Sequence, residues 1–172
     1  MIDMNSKQVV SAVSVVVLLV ILLYPTLSTG AVSMTLKSNK ISNADHMYVT
    51  LKDVWAHQTG QSESQGWRIL SNTSKILDLV SLETTTVLMD GKLPAGRYDS
   101  VRVDLANATL VYAGRITILQ LESTQLSSKL DFTVTASRSV PLTLMVGGFQ
   151  EALQGQRFFS ASLNASLLDN SS

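Results

Sequence analysis

Apolar and polar residues alternate with a period of two along most of the chain after residue 30. Val32, Met34 and Leu36 alternate with polar neighbours, and the pattern returns in the segments 47–51, 101–105, 110–119, 130–136, 140–146 and 158–163. Successive side chains of a β-strand point to opposite faces, so this alternation predicts strands with one buried and one solvated face. About eight such strands, in a range of seven to nine, predict an all-β fold, a mostly antiparallel β-sandwich.

The alternation changes phase once. The apolar residues of segment 47–51 occupy odd positions, whereas Val54 and Ala56 occupy even ones. An extra residue at Lys52–Asp53, a β-bulge, would explain the change. The same bulge would place Trp55 on the outer face of its strand.

Turn signals separate the predicted strands. The polar segment 58–66 predicts a hairpin loop, and Asp90-Gly91 and Ala113-Gly114 predict tight turns. Between residues 75 and 82 the apolar spacing is helical, which predicts a short helix or a buried irregular link. Residues 158–163 are predicted to form the last strand.

The stretch "LPAGRYDSVRVDL", residues 93–105, contains the clearest turn and strand signal. Proline lacks an N–H and glycine permits a turn, so Leu93–Gly96 predicts an edge turn that leads into a strand. Tyr98 is expected to cap that corner. Arg102 and Asp104 share the outer face of the strand, where a surface ion pair contributes little.

The N-terminal segment is strongly apolar. Residues 9–27 carry no charge, and residues 15–23 are apolar without a break. This length suits either a signal peptide or a transmembrane anchor, with the C-terminal part outside the cell. We therefore expect a leader over residues 1–30, an extracellular β-sandwich domain over 31–168, a polar tail over 169–172, and a cell-surface protein that is membrane-anchored or secreted.

Four asparagines begin the acceptor pattern for N-linked sugars, more than the one or two that chance would give. They are Asn72, Asn107, Asn164 and Asn170. Used sequons would make the protein a glycoprotein and would support export. Acceptors that are never modified, in a serine-rich surface, are the alternative.

Several function classes lack support in the sequence. Thirteen basic and thirteen acidic residues cancel without forming runs, which argues against a nucleic-acid partner. His46 and His57 stand about 36 Å apart along one strand, too far to share a metal ion. No serine lies in a hydrolase motif, and no calcium or phosphate-binding pattern is present. We therefore expect no enzymatic activity, catalytic residue, metal site or cofactor.

Trp55 and Trp67 flank the 58–66 loop on adjacent predicted strands. Aromatic side chains that face each other across a hairpin more often pack together than bind a ligand. They can also offer a flat apolar surface with a polar edge to a glycan or a protein. The two tryptophans are thus the candidate binding surface.

Several stretches together resemble a secreted family, the domain of unknown function numbered 4382, found in bacterial lipoproteins and archaeal surface proteins. The matching stretches are "MYVTLKDVWAH", "GWRIL", "ILDLVSL", "LPAGRYDSVRV" and "FTVTASRSVPLTL". The resemblance implies an exported β-sandwich without an established activity. Where the family has an acidic Asp-Phe-Asp segment, this chain has "MVGGFQ", so an ion-binding role of that segment does not transfer.

The first hypothesis is a non-enzymatic structural or adhesive module of the cell surface. In a sharper form it is a filament subunit whose segment "AVSMTLKSN", residues 31–39, leaves its own domain and enters a neighbour's sheet. The alternatives are a membrane-anchored ectodomain that binds glycans or other surface proteins, and a type IV pilin-like subunit. A mature N-terminus near Gln8 would favour the pilin, one near Ala31 a secreted subunit, and Met1 an anchored protein.

Overall fold

The computed structural model describes residues 28–83, 87–147, 155 and 157–168, with Ser14, Val15 and Leu18 of the N-terminal segment. These residues form eleven strands and one 3₁₀ turn, Ser81–Glu83. The strands are β1 (Thr29–Ser38), β2 (His46–Gln58), β3 (Trp67–Ser71), β4 (Lys75–Asp78), β5 (Val87–Pro94), β6 (Gly96–Tyr112), β7 (Arg115–Leu121), β8 (Gln125–Val134), β9 (Val140–Gly147), β10 (Phe158–Phe159) and β11 (Ser162–Leu167). The predicted all-β fold is confirmed, and the described residues form more strands than the seven to nine expected.

The strands form two sheets. The smaller sheet has the order β11-β9-β1-β5. The larger has the order β10-β7-β6-β2-β3, with β4 also paired to β2 and β8 to β6. The pairs β1–β9 and β10–β7 are parallel, and the other described pairs are antiparallel.

One hydrophobic core lies between the two sheets, as a sandwich requires. The smaller sheet contributes Met34 and Leu36, and the larger sheet contributes Met47, Val54 and Val103, all at most 1% exposed. The alternation along the chain therefore identified the inward face of the central strands. The predicted bulge is also confirmed, because the pairing of β2 with β6 shifts between Leu51 and Asp53.

The chain passes from one sheet to the other at Pro94–Gly96. Strand β5 ends at Pro94 in the smaller sheet, and β6 begins at Gly96 in the larger. Tyr98, which is 1% exposed, donates its hydroxyl hydrogen to the Pro94 carbonyl at 2.8 Å. The predicted turn and its tyrosine cap are confirmed.

Three local predictions are wrong. Asp90-Gly91 is not a turn but lies inside β5. Over residues 75–82 a short helix or an irregular link was expected, but residues 75–78 form strand β4, because β2 offers them a free edge to pair with. A 3₁₀ turn, Ser81–Glu83, follows the strand. The predicted last strand, 158–163, splits between β10 in the larger sheet and β11 in the smaller.

Strand β1 occupies an interior position of its own sheet. It pairs with β5 on one side and with β9 on the other. Its residues Val32, Met34 and Leu36 are buried in the core. The expectation that residues 31–39 leave their own domain is therefore wrong for this structure, because detachment would expose that apolar face and break two ladders.

The predicted leader, residues 1–30, lies almost entirely outside the described residues, as does the tail, 169–172. In the part of the chain that the structure describes, no helix is long and apolar enough to cross a membrane.

Candidate functional site

The outer face of the larger sheet brings the two tryptophans together. Trp55 on β2 pairs with Ile69 of β3 on one side and with Arg102 of β6 on the other. Trp67 begins β3, opposite His57. Both rings are half-buried. The sequence-predicted pair is thus confirmed as neighbours on one face.

Arg102 connects the two rings. Its guanidinium carbon lies 5.2 Å from the centre of the Trp55 ring and 4.5 Å from that of Trp67. A cation over an aromatic face stabilises a protein by about 0.5–1 kcal/mol at an exposed site and by about 2 kcal/mol where water is excluded. The sequence predicted only a weak surface ion pair for Arg102, whereas in the structure Arg102 also contacts both tryptophan rings.

Asp104 completes the group, which we call the Trp–Arg cluster: Trp55, Trp67, Arg102 and Asp104. The indole N–H of Trp55 donates to Oδ2 of Asp104 at 2.8 Å. Oδ1 of Asp104 lies 3.4 Å from Nε of Arg102, and among the described residues neither of these buried atoms has an aligned hydrogen-bond partner. The carboxylate therefore fixes one tryptophan by a hydrogen bond and the guanidinium mainly by charge.

His57 lies between Trp67 of the cluster and the 58–66 loop and contacts both. It is 5% exposed, and the centre of its ring lies 5.1 Å from that of Trp67, with the two rings packed edge to face. Nδ1 lies 2.8 Å from Oδ1 of Asp99, and Nε2 lies 3.3 Å from the carbonyl oxygen of Ser62. Both partners are acceptors, so the arrangement suits a doubly protonated imidazolium ring.

The electrostatics of His57 agree with this geometry. Burial by itself lowers the pKa of His57, but the hydrogen bonds to Asp99 and Ser62 and the charges of Asp99 and Glu63 outweigh it, so the pKa lies above 6.5. Gly66 permits the close approach of the loop, because a Cβ there would lie 2.2 Å from Nε2 of His57. His57 is therefore a buried histidine with partners at both ring nitrogens.

Neighbouring acceptors hold both histidines of the chain. Both nitrogens of His57 face acceptors, so neither is placed to take a proton from a serine hydroxyl. His46 bonds through Nδ1 to Asp78 at 2.8 Å, at the opposite end of β2. Within the described ranges, no three His, Asp or Glu side chains are grouped so as to hold a metal ion.

Three of the four sequons lie in described regions. Asn72, Asn107 and Asn164 are all exposed, and Asn170 lies outside the described residues. Asn72 follows β3, and Asn164 lies on β11, an edge strand. Asn107 lies in the middle of the larger sheet.

A shallow groove surrounds Asn107 on the same outer face as the Trp–Arg cluster. Its volume is about 420 Å³. The lining residues are Tyr48, Thr50, Ile76, Asn107 and Thr109. Strand pairing aligns Ile76 with Thr50 and Asn107 in one row, and Tyr48 with Thr109 and Ile118 in the next.

Sequence reasoning missed Arg102, Asp104 and His57 as parts of one site. The alternation of side chains along β6 places Arg102 and Asp104 on the outer face. The alternation along β2 after its bulge places Trp55 and His57 on the same face. The signal that could have joined them was the antiparallel pairing of β2 with β6. That pairing joins segments about 45 residues apart, and the alternation within each strand does not specify it.

Two solved structures show weak similarity to the chain. One is a proposed cell adhesion protein from Bacteroides eggerthii DSM 20697, at 9% identity over 81% of this chain and 55% of that one, with a TM-score of 0.31. The other is a disulfide-locked mutant of intermedilysin with human CD59, at 7% identity over 81% of this chain and 24% of that one, with a TM-score of 0.25. The chain thus spans about half of the first structure and about a quarter of the second. Neither likeness is close enough to indicate a function.

No protein of curated function matches the sequence significantly. A family model does match, and it covers residues 29–147, which include the whole Trp–Arg cluster, His57 and most of both sheets. The chain therefore belongs to the family described as Domain of unknown function (DUF4382).

Proposed function

We propose that this protein is a non-enzymatic module of the cell surface that makes adhesive or structural contacts with other surface proteins through the outer face of its larger sheet. The observation that carries the proposal is the Trp–Arg cluster. Its two half-buried tryptophans and its arginine are fixed on rigid strands rather than on loops. Tryptophan and arginine are the residues that most often dominate the binding energy of protein interfaces.

The cluster is organised before any partner arrives. Asp104 holds Trp55 by a hydrogen bond, and Arg102 contacts both rings. Side chains that are already ordered lose less conformational entropy on binding, so more of their contact energy contributes to affinity. A rigid aromatic patch therefore suits a contact surface.

The geometry favours a protein partner over a glycan. Arg102 covers one face of each tryptophan ring, so those faces are not free for a sugar to stack on. A glycan-binding ectodomain is the second candidate, because both rings keep part of their surface exposed. Calorimetric titration with surface polysaccharides distinguishes the two candidates. A glycan-binding ectodomain should give a heat of binding that Trp55→Ala removes, whereas a surface that binds only proteins should give none.

The cell-surface part of the proposal is supported by the sequence. The apolar segment 9–27 has the length of a leader, and three sequons occupy exposed positions. Sequencing the mature N-terminus distinguishes a secreted protein from an anchored one. A start near Gln8 would favour the pilin-like alternative.

The adhesion test uses cells that display the full chain. Trp55→Ala and Trp67→Ala should weaken cell adhesion, because loss of an interface residue worth about 2 kcal/mol lowers affinity about 30-fold. Arg102→Met should weaken adhesion too, since it keeps the apolar stem but removes the cation. The matched control is Leu88→Ala, which truncates a 64% exposed side chain on the smaller sheet and should leave adhesion unchanged.

Near-ultraviolet circular dichroism and thermal melts establish that each variant is folded. Folded tryptophan variants that adhere as well as the wild type would disprove the role of the cluster. Equal adhesion of cells with and without the protein would disprove the adhesive function itself.

A further inference from the structure

On the outer face of the larger sheet, exposed isoleucines stand on both sides of the Asn107 groove, and we call them the isoleucine patch. Ile76, Ile116 and Ile118 are 72%, 74% and 80% exposed. They lie on β4 and β7, on either side of the central strands β2 and β6. Neighbouring strands lie about 4.8 Å apart, so the patch and the groove between its two sides span about 15 Å. A cover over these side chains is favourable, because exposed apolar surface promotes aggregation.

The groove contains a complete sequon. Asn107 and Thr109 both line it, two residues apart on the same face of β6. The hydroxyl of Thr50 donates to Oδ1 of Asn107 at 2.6 Å, which orients the carboxamide. The described residues offer no hydrogen-bond partner to Nδ2, the atom that would carry a sugar. The pairing of β6 with β2 shifts next to Asn107, and such bulges redirect side chains.

We infer that Asn107 carries an N-linked glycan whose first sugars lie in this groove and cover the isoleucine patch. Tyr48 and Ile76 offer apolar contacts to the C–H faces of a sugar ring, and Thr50 and Thr109 offer hydroxyl groups to its polar edge. The glycan is attached to the sequence that lines the groove, so no diffusing ligand is required. This half of the sheet is then a covered surface, and the Trp–Arg cluster remains the uncovered half.

The covalent step forms a bond between Nδ2 of Asn107 and the anomeric carbon of the first sugar. The bond from that carbon to the pyrophosphate of a lipid-linked oligosaccharide breaks, the pyrophosphate leaves, and Nδ2 loses one proton to the transferase. Both the donor and the transferase belong to the cell that exports the protein. No oxidation or reduction is involved.

The first measurement is peptide mapping by mass spectrometry of the full chain purified from the cells that make it naturally. A glycan mass on the peptide that contains Asn107 is expected. Thr109→Ser keeps the sequon and should keep the mass, whereas Thr109→Ala and Asn107→Gln should lose it. An unmodified Asn107 in the natural protein would overturn the proposal.

The second measurement is the fluorescence of a hydrophobic dye added to the purified protein. Asn107→Gln and Thr109→Ala should bind several-fold more dye than the wild type, because the isoleucine patch is uncovered. Asn72→Gln and Asn164→Gln remove sequons outside this groove and serve as matched controls. Ile118→Thr in the Asn107→Gln protein should restore low dye binding.

If Asn107→Gln binds no more dye than the two control variants, the proposed cover is disproved, even when the wild-type protein carries the glycan at Asn107. The result does not depend on the adhesive role of the Trp–Arg cluster. The adhesion assays of the tryptophan variants and the glycan mapping of Asn107 can therefore disprove the two proposals independently of each other.

Discussion

At the residue scale, side chains on the outer face contact residues of neighbouring strands that their own position in the sequence does not predict. Arg102 and Asp104 are two residues apart on β6, which predicts a weak surface pair. In the structure, tryptophans from β2 and β3 surround the arginine and remove part of its water. The same two residues therefore form the centre of the candidate contact surface.

His57 is expected to make the folded protein more stable at acidic pH. Its pKa is raised above 6.5, despite the opposing effect of burial, by Asp99, the Ser62 carbonyl and Glu63. A raised pKa means that the folded state binds the proton more tightly, so this stabilisation is complete below pH 6.5 and is lost as the pH rises through the folded-state pKa. Denaturant unfolding at a series of pH values should show the free energy of unfolding falling over that range.

The variants His57→Gln and Asp99→Asn test the origin of that pH dependence. The first removes the titrating ring, and the second removes the carboxylate that holds its proton. Both should flatten the fall in stability above pH 6.5. A fall of the same size in His57→Gln would assign the effect to another group.

At the scale of elements, close packing between strands of the two sheets explains Gly91 better than a turn does. Gly91 was predicted to form a turn with Asp90 but lies within β5. A Cβ at Gly91 would lie 2.2 Å from the backbone carbonyl oxygen of Leu70 on β3. The glycine therefore allows β5 of the smaller sheet to meet β3 of the larger one.

Gly91→Ala is expected to destabilise the protein by about 1–3 kcal/mol, the usual cost of forcing atoms into a packed interior. The clash is with backbone, so no side-chain rotation can relieve it. Gly96→Ala is the matched control, because the nearest atom to its Cβ would be 3.6 Å away, at ordinary contact distance. Thermal and denaturant melts of the two variants measure the difference, and equal stability would show that β3 and β5 can move apart at no cost.

At the scale of the whole molecule, the position of β1 decides how the domain holds together. It pairs with both β5 and β9, so it joins one edge of the smaller sheet to the rest. The core residues of β1 are at most 1% exposed. The strand is a central part of the fold and not an accessory arm.

Deletion of residues 29–38 is expected to abolish cooperative folding. The deletion leaves β5 without its described ladder partner and exposes the core, which costs far more than the marginal stability of a domain of this size. Circular dichroism during thermal unfolding should show no sigmoidal transition. A deleted protein that still unfolds cooperatively would revive the interpretation of this segment as a detachable strand.

The sequence by itself determined which face of each central strand is buried, the bulge near Asp53, the Ala113-Gly114 hairpin and the corner capped by Tyr98. These features depend on side-chain period and on backbone preferences of neighbouring residues, which are local properties. The tertiary structure alone decided that β1 lies between β5 and β9, that residues 75–78 form a strand, and that Arg102 joins Trp55 to Trp67. These features depend on pairing between distant segments, and the alternation within a strand is the same whichever neighbour it pairs with.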